Sequence, residues 1–243
     1  MREDDMRDRT IMRPALALVA TAALAETALF RLGRAYGSTA EERAMPLPGD
    51  EIVLTPDVVT DHAITIDARP EDVWPWLLQM GWHRGGWYTA RWVDKLLFPA
   101  NGPSATVILP ELQGLAVGDF VPDGAPETEC GFVVERLEPQ RALVLHSTSH
   151  MPKAWRERRG LALDWSWTFV LRPMGRGTTR FQVRSRWTTA PWWFRLGGRL
   201  ALVPADFVMS RDMLNGVKQR AESCARISGR RTQTAVTTQA MPR

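Results

Sequence analysis

Residues 163–187 read Leu-Asp-Trp-Ser-Trp-Thr-Phe-Val-Leu-Arg-Pro-Met-Gly-Arg-Gly-Thr-Thr-Arg-Phe-Gln-Val-Arg-Ser-Arg-Trp. Side chains of a strand alternate between its faces. Leu163, Trp165, Trp167, Phe169 and Leu171 therefore share one face, and Asp164, Ser166 and Thr168 the other. Thr179 to Trp187 repeats the pattern, with Phe181, Val183 and Trp187 set against Arg180, Gln182, Arg184 and Arg186. Pro173-Met-Gly175-Arg-Gly177 between them supplies the turn. Two adjacent strands with one apolar face each predict an antiparallel sheet covered on one side.

Further strands are expected upstream, at 60–67, 119–121, 130–137 and 142–150, bounded by Pro, Gly and charged turns. Downstream, Phe207, Ser210, Met213, Leu214, Val217, Ala221 and Cys224 fall on one face of a helix running from about Pro204 to Ala225. Trp192 to Val203 is expected as a separate helical piece, kinked away by Pro204.

Between the first strand and the later ones lies a run rich in tryptophan: Trp74, Trp76, Trp82, Trp87 and Trp92. Pro70 suits the first position of a helix, and Glu71 and Asp72 complement its positive end. Val73, Leu77 and Met80 follow at helical spacing, and Gly81 ends the element. A second helix is expected over Trp87 to Phe98, after the Arg84-Gly85-Gly86 break, which reads as a turn or a gate over a cavity mouth. Ahead of the first strand, Ser38-Thr39-Ala-Glu41-Glu42 forms a capping box for a short helix.

The ends differ from this middle. Pro14 to Leu32 is a nineteen-residue run of mostly Ala and Leu with one charge, Glu26. It suits a membrane anchor, a packed helix or a cleaved leader, in falling order. Arginines flank it on both sides, so orientation is undecided. The expectation is membrane association through this helix, or a cytoplasmic chain; secretion is disfavoured. From Ile227 to Arg243 the polar composition without periodicity reads as a disordered tail. The expected organisation is 1–36 tail and hydrophobic helix, 37–59 short helix and linker, 60–226 one domain, and 227–243 tail.

The chain has 243 residues and a formal charge of +4. Its basic residues form no stripe with a nucleic-acid motif, and nucleic acid is not an expected partner. Cys130 and Cys224 read as free thiols, too few for a disulfide scaffold. No nucleophile elbow, phosphate loop or dinucleotide fingerprint appears, so no cofactor is implied. His146 and His150 would lie about 13 Å apart on an extended strand. They are not expected to share an ion, and no metal site is expected.

Several segments resemble the START/Bet v 1-like superfamily, also called SRPBCC and related to polyketide cyclase/dehydrases, in an actinobacterial subgroup. They are Gly-Ser-Thr-Ala-Glu-Glu (37–42), Pro-Leu-Pro-Gly-Asp-Glu (46–51) and His-Ala-Ile-Thr-Ile-Asp-Ala (62–68). The others are Val-Trp-Pro-Trp-Leu (73–77), Arg-Gly-Gly-Trp-Tyr (84–88), Ile-Leu-Pro-Glu-Leu-Gln (108–113) and Val-Gly-Asp (117–119). The resemblance spans roughly residues 37–226. It implies an α+β helix-grip fold, a curved antiparallel sheet wrapped around the long C-terminal helix, here with an added N-terminal hydrophobic helix. It also implies an apolar cavity between sheet and helix.

Trp165, Trp167, Phe207, Met213 and Val217 are the expected cavity lining, with His146 as a polar wall, Trp87 and Tyr88 as further ligand-binding residues, and Trp87 and Trp92 shaping the entrance. The functional expectation is non-catalytic binding or carriage of a hydrophobic small molecule: a lipid, isoprenoid or polyketide-like compound. The alternative is an aromatase/cyclase-type enzyme with one acid–base residue, Asp206 or His146 being the weak candidates. A protein-interaction module using exposed tryptophans is the second alternative.

Overall fold

The computed structural model describes residues 33–97, 102–175 and 177–239, together with Thr21. Apart from Thr21, the hydrophobic segment 14–32 lies outside the described residues, so its expected helix does too. Among the described residues no helix is long and apolar enough to cross a membrane.

Six antiparallel strands form one curved sheet in the order β1-β6-β5-β4-β3-β2. They are β1 (Val58–Ile66), β2 (Phe120–Pro122), β3 (Gly131–Glu138), β4 (Ala142–Ser147), β5 (Ala162–Gly175) and β6 (Thr178–Ala190). The helices are α1 (Ala40–Ala44), α2 (Pro70–Leu78), α3 (Arg91–Leu97), α4 (Lys153–Arg159) and α5 (Trp192–Gln239). The long α5 lies in the grip of the sheet, which gives the α+β helix-grip architecture. The hairpin β5–β6 pairs over its whole length, placing Trp165 opposite Trp187 and Phe169 opposite Val183.

The inner face follows from the alternation. Trp167, Phe169, Phe181 and Val183 are buried with Met213, Leu214, Val217 and Ala221 of α5 and with Trp76 and Leu77 of α2. Trp192 to Val203 and the main helix are one continuous element with Pro204 inside it, not two pieces. Helical backbone also continues past Ile227 into the polar segment, as far as Gln239.

The outer face is not bare, as one-sided alternation would suggest. The chain from Gly37 to Thr55 crosses it and is held by its charged residues. Arg180 reaches Glu42 at 2.7 Å, Arg184 reaches Asp50 at 2.8 Å, and Thr168 donates to the Pro48 carbonyl at 2.9 Å. Thr39 caps α1 with the reciprocal Glu42 bond of a capping box. The arginines of β6 thus bind a strap of the same chain rather than water.

The second helix begins at Arg91, not at Trp87. Tyr88 has a left-handed backbone, φ 60°, which a helix start cannot accommodate. Trp87 and Tyr88 therefore belong to a tight connection, where Gly81 and Gly86 exchange backbone hydrogen bonds.

Candidate functional site

The expected central cavity is filled. Trp167, Met213 and Val217 are at most 1% exposed and belong to one closed core. Trp167 lies 4.8 Å from Phe169 and 5.2 Å from Trp87, ring centre to ring centre. Phe132 of β3, Trp167 and Phe169 of β5 and Phe181 of β6, with Trp76 and Trp87, fill this part of the gap between sheet and helix.

The open space lies toward the N-terminal half of α5. A pocket of about 190 Å³ is bounded by Leu163, Trp165 and Trp187 of the sheet, by Leu202, Ala205, Asp206 and Met209 of α5, and by Asp123, His150 and Met151 from the loops. Trp165 and Trp187, cross-strand partners with ring centres 6.2 Å apart and planes at 83°, make the sheet-side wall, one indole edge-on to the other. The surface is mostly carbon, with ionisable groups set into it, as ligand sites commonly are.

Asp206 is one such group. It is buried, with Oδ2 accepting from Nε2 of His62 on β1 at 2.9 Å and Oδ1 accepting from Ser210 at 3.2 Å. His62 is completely buried, and its Nδ1 has no partner among the described residues. Thr60 and Ser185, directly opposed on β1 and β6, carry buried hydroxyls in the same condition. A polar strip thus runs along the inner face beside an apolar pocket, where unpaired polar atoms are costly.

The second ionisable group is a relay from two loops. His150 Nε2 is 2.9 Å from Asp123 Oδ2, and its Nδ1 is 2.7 Å from Ser147 Oγ. The imidazole packs against both Phe132 and Trp165, with ring centres at 4.5 and 5.0 Å, the two aromatic rings themselves being 4.9 Å apart. Cys130 lies beside this pair. Burial, with Asp123 adding to it, pushes its thiol up to about 12.

His146 stands elsewhere. Strand alternation puts it on the outer face, with Nε2 2.8 Å from Asp164 and Nδ1 3.4 Å from Glu135. It does not line the pocket, in contrast to the expected polar wall. Phe207 packs edge-on against Tyr36 at 5.9 Å, away from the pocket. Tyr88 is buried and donates its hydroxyl to the Trp76 carbonyl at 2.8 Å; burial pushes its ionisation well upward. It is a packing residue. Trp87 is buried against Trp167 and Phe132, and its edge faces a separate hollow of about 310 Å³ with Trp82, Arg84 and Ser104.

Of the residues singled out from sequence, Trp165 and Asp206 meet at the pocket. Asp123, His150, Ser147 and His62 were not singled out as a group. Their spacing carried no signal, because they come from three strands or strand ends that only the fold unites.

The sequence matches no family model and no curated protein. Solved structures similar to the chain include a hypothetical protein from Helicobacter pylori, 10% identical, covering 73% of this chain and 95% of that one, with a TM-score of 0.46. The di-domain aromatase/cyclase BexL of the BE-7585A biosynthetic pathway is 18% identical, covering 68% of this chain and 46% of that one, TM-score 0.39. Truncated norcoclaurine synthase from Thalictrum flavum is 12% identical, covering 65% and 91%, TM-score 0.37.

Proposed function

We propose that the protein binds a small, largely apolar molecule in the pocket between α5 and the β5–β6 hairpin. The observation that carries this reading is the facing of Trp165, Trp187 and Leu163 by Leu202, Ala205 and Met209 across open space. Size narrows the ligand. Cavities for drug-sized compounds measure roughly 300–1,000 Å³, and one of about 150 Å³ holds benzene. A pocket of about 190 Å³ therefore suits one ring system, or the end of a longer lipid, isoprenoid or polyketide-like molecule.

Binding of 8-anilinonaphthalene-1-sulfonate, followed by displacement with lipids, isoprenoids and aromatic polyketide mimics, tests it. One probe per chain is expected, with affinity lost in Trp165→Ala while the near-UV circular dichroism is retained. Binding that survives Trp165→Ala unchanged would place the site elsewhere.

A second reading, acid–base catalysis, is supported by Asp206, which lines the pocket with His62 hydrogen-bonded behind it. A buried carboxylate within reach of a bound molecule is the arrangement proton transfer needs. Deuterium exchange at the α-carbon of a bound cyclic ketone, followed by NMR, is expected to slow in Asp206→Asn. Equal rates in the two proteins, or none above solvent, remove this reading.

The interaction-module reading has less support, since Trp74, Trp76 and Trp87 are buried and of the five only Trp92 is exposed. Exposed tryptophans occur instead at Trp155, Trp192 and Trp193, with Leu196, on two helices that adjoin where Ala162 pairs with Ala190. Arg156, Arg158 and Arg159 accompany them. Aromatic and basic side chains together suit a lipid interface, so ligand uptake from a membrane surface fits the same reading.

A further inference from the structure

We propose that Asp123, Cys130 and His150 form a binding site for a zinc-type divalent metal ion, with its fourth position open to the apolar pocket. The inference goes beyond the ligand-binding reading and does not depend on it. One ligand atom from each residue lies within 4.8 Å of those from the other two. An oxygen, a thiolate sulfur and an imidazole nitrogen are the donor set of tetrahedral zinc sites, and three protein ligands are the usual number where one position stays open.

The backbone holds these donors together. Asp123 donates its N–H to the Cys130 carbonyl at 2.9 Å, across the end of the β2–β3 ladder. The two side chains are therefore fixed as neighbours, although their residues are separated by a loop. His150 arrives from the chain following β4, and its ring is fixed by Phe132 and Trp165. In a tetrahedral site with bonds of about 2.0–2.1 Å, ligand nitrogen and oxygen stand roughly 3.3 Å apart. His150 Nε2 and Asp123 Oδ2 stand 2.9 Å apart already, so little movement is needed. The Cys130 sulfur also lies within 4.8 Å of a donor atom of both residues.

Ser147 completes the arrangement. A metal on Nε2 requires the imidazole proton on Nδ1, and that proton needs an acceptor. Ser147 Oγ sits 2.7 Å from Nδ1 and is itself oriented by the Ser149 N–H at 3.1 Å. A hydroxyl can either donate or accept, so the same contact serves the ring with or without metal. Asp123 and His150 both line the apolar pocket, whereas Cys130 lines the adjoining hollow with Trp82 and Phe120. The ion would therefore sit in the wall between them. A carbonyl, phenol or enolate oxygen on a pocket ligand could take the open position, which makes oxygen-bearing apolar molecules the favoured class.

Cobalt(II) and zinc(II) added alone to the full chain test the site. One cobalt ion per chain is expected, with a thiolate-to-cobalt charge-transfer band and tetrahedral d–d absorption. Both features should vanish in Cys130→Ser and persist in Cys224→Ser. Ser147→Ala is expected to bind roughly 10–100-fold more weakly. A measurement on the unmodified protein covers misfolding of a variant: zinc should slow alkylation of Cys130 and leave Cys224 unaffected. Absence of a thiolate band together with unchanged alkylation of Cys130 overturns the proposal. Apolar-probe binding measured without metal separates that outcome from failure of the ligand-binding reading.

Discussion

Arg184 on β6 places Nε 3.0 and 3.1 Å from the two carboxylate oxygens of Asp61 on β1, and both side chains are 4% exposed. The rest of the guanidinium is used as well. Nη1 donates to Asp50 and the Met45 carbonyl, and Nη2 to the carbonyls of Glu42 and Arg43. Burial pushes the Asp61 carboxyl up, while Arg184 and Gln182 act in the opposite direction. This pair joins the outer face of the sheet to the strap 37–55, and its value lies in completeness.

Asp61→Asn therefore removes the buried carboxylate on Nε and leaves Asp50 as the remaining counter-charge of the guanidinium. Breaking one side of such a pair costs about 3–5 kcal/mol. Urea denaturation is expected to show a loss of that size. Replacement of both partners by apolar residues of similar volume is expected to cost less than the single change.

The strap also sets the response to acid. The Arg180 hydrogen bond, with the Thr39 backbone and Arg172, brings the Glu42 carboxyl down to about 2 against burial that acts to raise it. A carboxylate depressed in the folded state binds fewer protons there than in the unfolded chain. Its contribution is full above the unfolded value of about 4.3 and is lost as pH falls toward 2. Stability is expected to drop across pH 5 to 2, and Glu42→Gln to flatten that limb while lowering the plateau at pH 7. A limb of equal steepness in the variant would assign the acid sensitivity to other carboxylates.

Trp165 and Trp167 are two residues apart on one strand face, yet their roles divide. Trp167 is 1% exposed within the closed core, and Trp165 borders the pocket. Trp167→Ala is expected to lose about 3–5 kcal/mol of stability, the usual cost of a large aromatic truncation. Trp165→Ala is expected to lose less stability and more affinity for an apolar probe. Thermal melts and probe titration on the two variants separate these outcomes.

Alternation in β5 and β6 and the apolar stripe of α5 made the sheet, its inner face and the gripping helix legible, because they are local periodicities. The position of the open space was not. It depends on whether Trp167, Phe169, Met213 and Val217 together fill the gap, which is a sum over distant side chains. The strap was equally hidden. Arg180, Arg184 and Arg186 read as a solvated face, and their partners Glu42, Asp50 and the Val53 carbonyl lie more than 130 residues earlier. The burial of Asp206 was hidden too, because its partner His62 lies 144 residues earlier, on β1.

Two glycines of α5 give opposite predictions for the same substitution. Glycine inside a helix costs about 1 kcal/mol relative to alanine, so Gly→Ala should stabilise wherever there is room. At Gly197 a methyl group would meet nothing within 4 Å, and Gly197→Ala is expected to gain up to about that amount. At Gly216 the same methyl would lie 2.0 Å from the Tyr88 carbonyl oxygen and 2.8 Å from its Cβ. That carbonyl belongs to a left-handed residue held by the Tyr88 hydroxyl bond to Trp76 and by the Ser104 hydroxyl on its N–H. It has little freedom to retreat. Overpacking of this kind costs roughly 1–3 kcal/mol, which outweighs the helical gain. Gly216→Ala is therefore expected to lower the denaturation midpoint while Gly197→Ala raises it. Two variants shifted in the same direction would show that α5 does not approach the Trp87–Tyr88 connection this closely.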